Sequence, residues 1–201
     1  MRKYILFLFI LAIFGGLAIA TDLMPMYLKT DATNSGAVNG TTVAAVQLAP
    51  QVYQTTIAMS DTPASITYVG PDTNSVGGVK VYDFPEGRIL VLGVTVADMT
   101  VTPVDGGGFG VTDGGDFSLG TALATGTNLA STGADLCPST SIDAVTNITD
   151  SALAASAQFD GTATAKDAYV NFLVDANDIT NNAALTFDAT VTITWMKLGD
   201  Y

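Results

Sequence analysis

The stretch Leu185-Thr186-Phe187-Asp188-Ala189-Thr190-Val191-Thr192-Ile193-Thr194-Trp195 alternates apolar and polar residues without a break. Successive side chains on a β-strand point to opposite faces, so the pattern predicts a strand with one dry face and one solvated face. At roughly 3.3 Å per residue this strand would span about 36 Å, which is long for a globular protein. The stretch therefore indicates a β-scaffold.

Similar alternation recurs along the chain and predicts further strands between turn signals. Asp61-Thr62-Pro63 is expected to break one such run, and Asp160-Gly161 to form the turn of a hairpin. The apolar parity changes around Ala97-Asp98, which requires a bulge or a turn because one extra residue flips the face. The predicted runs are Tyr53–Met59, Ile66–Tyr68, Val79–Phe84, Ile89–Val101, Leu153–Phe159 and Ala168–Val174.

These patterns predict an all-β protein with roughly eight strands and no convincing long amphipathic helix. The expected architecture is an antiparallel β-sandwich, jelly-roll-like or Ig-like in shape. We place this domain at residues 51–201, after an extended arm or linker at residues 21–50 with a short strand at Val43–Val46. The parity slips after Trp195, so the terminal strand is expected to end or bulge there.

The first twenty residues predict an N-terminal hydrophobic targeting segment. Arg2 and Lys3 give a basic start, residues 4–13 are all apolar, and Ala18-Ile19-Ala20 fits the small-x-small cleavage pattern. A secretory signal peptide at residues 1–20, cleaved near Ala20, is the favoured interpretation. An uncleaved membrane anchor is the first alternative, because residues 4–20 are at the short limit for a span. A start codon further downstream is the second.

Charge and composition exclude several classes of function. Lys and Arg total 7 against 19 acids, which gives a net charge of −12. Such a surface repels nucleic acid and anionic membranes, so a membrane is expected as a partner only through residues 1–20, if they stay uncleaved. The chain has no histidine and one cysteine, Cys137, for which burial is expected. No Ser-His-Asp site, Cys-His site or cysteine-rich zinc site is then possible, and we predict no enzyme.

Calcium is the one ion that the sequence suggests, and no other cofactor is expected. Ca²⁺ prefers hard oxygen ligands on flexible loops, and aspartates flank a glycine-rich stretch here. The candidates are Asp105, Asp113 and Asp116, with a second group at Asp175, Asn177 and Asp178. Neither group has EF-hand spacing, so the favoured interpretation is aspartate that forms turns, with no metal site.

Two stretches are candidate contact surfaces. Ile89-Leu90-Val91-Leu92 is apolar on both faces, which is typical of a central strand buried on both sides or of a strand facing another subunit. The threonine-rich polar face of Leu185–Trp195 is the second candidate, because it favours strand structure and carries little reactive chemistry.

Several motifs in the same order resemble a known family. They are the stretch from Val81 to Gly93, Asp116-Phe117-Ser118-Leu119-Gly120-Thr121-Ala122, Asn171-Phe172-Leu173-Val174-Asp175 and the ending Leu198-Gly199-Asp200-Tyr201. Together they resemble small β-rich virion structural proteins of tailed bacteriophages, over about residues 76–201. The resemblance implies a location in the virion and a role as a capsid decoration (cement) protein. It also implies that the chain is a homo-oligomer, often a trimer in that family, with the major capsid protein or identical subunits as partners.

Three functional hypotheses follow. The leading one is a non-enzymatic structural virion protein that decorates or stabilises a capsid through β-sandwich contacts. The alternative is a secreted or surface-anchored bacterial β-protein that forms filaments or binds an extracellular ligand, as an export signal would require. The third is a calcium-dependent carbohydrate-binding sandwich.

Overall fold

The computed structural model describes residues 30–31, 41–104, 115–142, 158–161, 163–176 and 178–199. These residues form ten strands and one 3₁₀ turn at Ser131–Gly133, and every strand pairing among them is antiparallel. The strands are β1 (Thr30–Asp31), β2 (Thr42–Ala49), β3 (Val52–Thr67), β4 (Ser75–Asp83), β5 (Gly87–Pro103), β6 (Gly115–Gly120), β7 (Cys137–Ile142), β8 (Gln158–Gly161), β9 (Asp167–Val174) and β10 (Ala183–Gly199). The predicted all-β class is confirmed.

The strands join in one hydrogen-bonded sheet. Its main path runs β7-β6-β9-β4-β3-β10-β5-β8, while β2 pairs with β3 and β1 pairs with β2. The strand β10 therefore lies between β3 and β5 over almost its whole length. Because the pairing connects all ten strands, the sandwich of two separate sheets is not confirmed.

The sheet folds back on itself. β9 and β10 are three places apart in the strand order, which in a flat sheet would separate them by about 14 Å. However, the rings of Phe172 in β9 and Phe187 in β10 have centroids 5.1 Å apart. Phe84, just after β4, likewise lies 5.8 Å from the ring of Trp195 in β10. Residues from both parts of the folded sheet therefore enclose one hydrophobic core.

The alternation predicted for the terminal stretch is confirmed. In β10 every second side chain from Ala183 to Trp195 is buried and those between are half-buried. The strand continues to Gly199, and its register with β5 shifts between Lys197 and Gly199, so it bulges rather than ends after Trp195. One face of this strand thus supplies the centre of the core.

Two bulges interrupt the strands on either side of β10. The predicted irregularity at Ala97-Asp98 is confirmed, because Asp98 has a positive φ of 55° and the register shifts there. The break predicted at Asp61-Thr62-Pro63 is wrong, because β3 runs through it with a bulge at Asp61 (φ 48°). Asp188 in β10 accepts hydrogen bonds from the Asp61 N–H (2.8 Å) and from the Thr100 hydroxyl (3.3 Å). These bonds hold the strand together where its ladder is irregular.

The predicted hairpin around Asp160-Gly161 is wrong in the residues described. β8 pairs with β5, whereas β9 pairs with β4 and β6. Residues 153–157, the first part of that predicted strand, lie outside the described residues, as do residues 1–20. At the other end of the chain, Thr42–Ala49 of the predicted arm forms β2, which is longer than the short strand expected at Val43–Val46.

Candidate functional site

The structure describes only part of the candidate calcium ligands. Asp105, Asp113 and Asn177 lie outside the described residues. Asp116 lies on β6, where its carboxylate accepts a hydrogen bond from the Ser139 hydroxyl of β7 at 2.9 Å. In the second group, the Asp178 N–H donates to the Asp175 carbonyl, which closes a turn. Among the described residues no three His, Cys, Asp or Glu side chains are grouped as a metal site would need.

The apolar stretch Ile89–Leu92 lies on β5 and divides between two faces. Ile89 and Val91 belong to the core, with exposed fractions of 0% and 2%. Leu90 is half-buried, and Leu92 keeps 46% of its surface exposed. Only Leu90 and Leu92 can therefore contact another molecule without unfolding the strand.

Threonines from three strands form one solvated surface, here called the threonine face. It consists of Thr56 on β3, Thr95 on β5 and Thr190, Thr192 and Thr194 on β10. Thr192 is paired with Thr56 on one side and Thr95 on the other, so three threonines lie in one row across the sheet. The hydroxyls of Thr56 and Thr192 are 3.4 Å apart. This surface offers hydroxyl groups at regular spacing but no strong acid, base or nucleophile.

Four of the described ionisable groups form a cluster on β4 and β9. Lys80 contacts Asp83 and lies 3.1 Å from the Asp167 carboxylate, and the Tyr169 hydroxyl donates to Asp167 at 3.2 Å. Asp83 and Asp167 are directly paired across the two strands. Lys80 therefore lies between two carboxylates that would otherwise repel each other.

The pKa values in this cluster move in opposite directions. Burial, with a hydrogen bond to Asp167, raises the pKa of Asp83 above its usual value. Burial would also raise the pKa of Asp167, but hydrogen bonds with Asp83 and Lys80 outweigh it and lower that pKa. The hydrogen bond to Asp83 is the main cause of the raised pKa of Lys80, which stays a cation. A charged lysine between two acids is typical of a structural ion pair rather than of an amine nucleophile.

A buried polar network fixes the loop between β6 and β7. Asn171 is fully buried in β9; its amide oxygen accepts from the Ala124 N–H, and its amide nitrogen donates to the carbonyls of Ala122 and Gly133. Asp135 accepts from both the N–H and the hydroxyl of Thr121, each at 2.7 Å. Burial raises the pKa of Asp135, although these two bonds oppose the rise. The loop is therefore held by these side chains together with backbone bonds such as that from the Ala122 N–H to the Thr132 carbonyl.

This loop forms one wall of an open groove of about 260 Å³. The other wall comes from the end of β3 and the start of β4, and exposed Val69 and Leu123 lie on opposite walls. Most of the lining is small or apolar and none of it is charged. The lining residues are Ser65, Thr67, Val69, Val76, Gly77, Gly78, Leu123, Ala124, Thr125 and Gly126.

Sequence reasoning missed both the Lys80 cluster and the Asn171 network. The available signal for the network was one amide within the apolar run from Tyr169 to Val174, because a polar residue in a buried strand needs hydrogen-bond partners. The signal for the cluster was weaker. Lys80 and Asp83 are three residues apart, and a shift in register between Lys80 and Tyr82 is needed before both reach Asp167. Cys137 is buried, as predicted.

No helix within the described residues is long and apolar enough to cross a membrane.

Comparison with known proteins identifies no relative of this chain. The resemblance to phage virion proteins stays a prediction. No protein-family model, no curated protein and no solved structure matches the chain.

Proposed function

We propose that this chain is a non-enzymatic structural protein of a virion, which decorates or stabilises a phage capsid through contacts of its β-sheet. The partners would be the major capsid protein and identical subunits. The sequence motifs from Val81 to Gly93 and at Leu198-Gly199-Asp200-Tyr201 support the phage assignment by resemblance alone.

The observation that supports the structural role is that the buried polar side chains form hydrogen bonds within the chain. Most of those described bond to this chain's own backbone or side chains and so stabilise strands and loops, with Thr62 as the exception. Groups kept for catalysis are commonly left partly unsatisfied or poised toward a cleft. The bonded side chains are Thr41, Thr55, Ser75, Ser118, Asp135 and Asn171.

The mechanism would combine two kinds of contact. Strand edges carry unpaired N–H and C=O groups that can add a strand from a neighbour. The threonine face and exposed Leu92 would then supply side-chain contacts next to such an edge. The acidic surface, with a net charge of −12, would keep assembled copies from aggregating further.

Purified particles provide the test of the virion assignment. Quantitative mass spectrometry of gradient-purified particles should find the chain in a fixed ratio to the major capsid protein. Particles that lack the chain after its gene is expressed in the infected host would overturn the proposal.

The second candidate is a secreted or surface-anchored β-protein that forms filaments or binds an extracellular ligand. Residues 1–20 favour it, because a protein assembled onto a capsid in the cytoplasm needs no export signal. Mass spectrometry of the mature N-terminus separates the two candidates. A chain that begins at Thr21 in the periplasm or the medium would support secretion and contradict capsid assembly.

A further inference from the structure

The groove between the β6–β7 loop and the β3–β4 hairpin has exposed apolar side chains on both walls. Val69 and Leu123 lie on opposite walls and keep 49% and 46% of their surface exposed. They are two of the five large apolar side chains that are exposed within the described residues. The exposed hydroxyl side chains of Ser65, Thr67 and Thr125 lie around them. Exposed apolar surface surrounded by polar residues is typical of a binding site.

The wall that the loop forms is held in place from within the chain. The amide oxygen of buried Asn171 accepts a hydrogen bond from the Ala124 N–H at 2.9 Å. Ala124 also packs with Val76 and Leu173 in a small apolar cluster. Because both contacts hold the residue next to Leu123, the loop loses little conformational freedom when the groove is filled. The groove is therefore a preorganised site.

The size of the groove suits one side chain of a partner. Its volume of about 260 Å³ lies below the roughly 300 Å³ at which pockets for drug-sized molecules begin. Protein interfaces commonly insert a single large side chain into such a pocket, where it contributes much of the binding energy. The lining consists of hydroxyl, alkyl and backbone groups without a charge, so the inserted side chain should be apolar.

The charges that lie nearest to one end of the groove along the chain are acidic. Asp72 is exposed in the turn three residues after Val69. Asp175 directly follows the residue of β9 that pairs with Ser75 at the start of β4. Asp178 shares a turn with Asp175, because its N–H donates to the Asp175 carbonyl. These carboxylates give this end of the groove a negative potential.

The described cations on or next to the same two strands do not cancel this charge. Lys80 on β4 lies between the carboxylates of Asp83 and Asp167. Lys166 precedes β9, at the opposite end of that strand from Asp175. With 19 acids against 7 Lys and Arg in the whole chain, a second copy would meet its own sign of charge here. A cationic partner would instead be attracted.

We propose that this groove binds a cationic segment of a partner protein, which inserts one large apolar side chain between Val69 and Leu123. The basic residues of that segment lie over Asp72 and Asp175. The apolar side chain supplies most of the affinity, and the charges supply orientation and faster association. The inference deepens the proposed function and rests on it in one respect, since a decoration protein needs a partner to which it attaches.

A defined peptide tests both parts of the proposal. Fluorescence anisotropy with the full chain and the labelled peptide Lys-Lys-Leu-Lys-Lys should show saturable binding that weakens as salt is added. Replacing the leucine of the peptide with serine should weaken binding about tenfold or more, because the apolar contact is lost. No binding of the leucine peptide, or equal binding of the serine peptide, would overturn the proposal.

Substitutions in the chain locate the bound peptide. Leu123→Ser should weaken binding of the leucine peptide about fivefold or more, because one apolar wall is lost. Leu48→Ser is the matched control, since Leu48 is also exposed (40%) but lies on β2, and it should bind as the wild type does. Both side chains are exposed, so both variants are expected to fold, and thermal unfolding checks this. Wild-type affinity in Leu123→Ser, or equal losses in both variants, would contradict binding in the groove.

Asp72→Asn tests the acidic end of the groove. Asp72 and Asp98 are both exposed and have positive φ values of 57° and 55°, which asparagine tolerates. Asp72→Asn should weaken binding about two- to fourfold, whereas Asp98→Asn, which removes the same charge from β5, should leave it unchanged. Equal losses would contradict a local attraction, and with it the cationic partner.

These measurements are independent of the virion assignment. Peptide binding is a property of the isolated chain, whereas the composition of purified particles decides whether the chain belongs to a virion. A chain that is found in particles but does not bind the leucine peptide would overturn only the proposal for the groove. A chain that binds the peptide but is absent from particles would overturn only the virion assignment.

Discussion

The strands β3, β10 and β5 and the loop between β6 and β7 are stabilised in different ways. The three strands alternate buried apolar and solvated polar side chains, and their ladder bonds run for most of their length. The loop has one short 3₁₀ turn and a few backbone bonds, and the side chains of Asn171, Asp135 and Ser118 connect it to the sheet and to itself. The first region depends on many similar contacts, whereas the second depends on a few buried polar atoms. A single substitution in the loop network should therefore lower the free energy of unfolding by more than the number of atoms it removes suggests.

Asn171→Ala is expected to have the largest effect, a loss of about 4 kcal/mol in the free energy of unfolding. The change leaves the Ala124 N–H and the Ala122 carbonyl without this buried partner and removes one of two donors to the Gly133 carbonyl. Urea unfolding measures the loss. Ser118→Ala is the control, because it removes one bond to the same Gly133 carbonyl and should cost about 1 kcal/mol. Equal losses would show that the network does not act as a unit.

Ile193→Ala in the central region should cost about 3 kcal/mol, because it removes a fully buried side chain from a packed core. Thr190→Ala on the other face of β10 is the control and should cost less than about 1 kcal/mol. Limited proteolysis then sharpens the comparison. Ile193→Ala should leave the β6–β7 loop protected until the whole chain unfolds, whereas Asn171→Ala should expose it first. Early cleavage of the loop in both variants would contradict a separate role for the network.

Thr62→Val should raise the free energy of unfolding by up to about 1 kcal/mol. The Thr62 hydroxyl is buried beside the bulge at Asp61 and has no hydrogen-bond partner. Valine has nearly the same shape and removes that cost. Thermal unfolding provides the measurement, and Thr62→Ser, which keeps the hydroxyl and loses a methyl group, is the matched control. If Thr62→Val destabilises the chain, the hydroxyl has a role that its position does not reveal.

The smallest expected effect is a change in pH dependence. Burial raises the pKa of Asp135 above its value in the unfolded chain, so its stabilising contribution is present below the unfolded pKa and is lost as the pH rises through the folded pKa. Asp135→Asn keeps an oxygen for the Thr121 N–H and has no charge to bury. Its stability relative to the wild type should therefore increase between about pH 3 and pH 7. A difference in stability between Asp135→Asn and the wild type that stays constant across that range would contradict a raised pKa of Asp135.

The same contrast explains what the sequence could predict. Burial of one face repeats every second residue, so β10 and the bulge at Ala97-Asp98 are visible in the apolar pattern. Which strands pair is a long-range choice that the pattern does not contain, and the hairpin expected at Asp160-Gly161 shows the error that results. The amide of Asn171 signals a buried network, but its three backbone partners lie between 38 and 49 residues away in sequence. Their identity depends on how the loop crosses β9.

The candidate contact surface was predictable to a similar degree. The apolar stretch at residues 89–92 indicated burial or an interface; the structure buries Ile89 and leaves Leu92 exposed, and the interface stays a prediction.

The central position of β10 has a consequence for how the protein is made. On the ribosome β3 and β5 emerge long before β10, and each lacks one of its neighbouring strands until β10 is available. The edges of β3 and β5 that pair with β10 are then without a partner while the rest of the chain is synthesised. Pairing over such sequence separations is slow, because the entropy cost of closing the loop arises before the stabilising contacts form. The chain should therefore fold late and as a whole, and it should depend on chaperones most strongly just before β10 emerges.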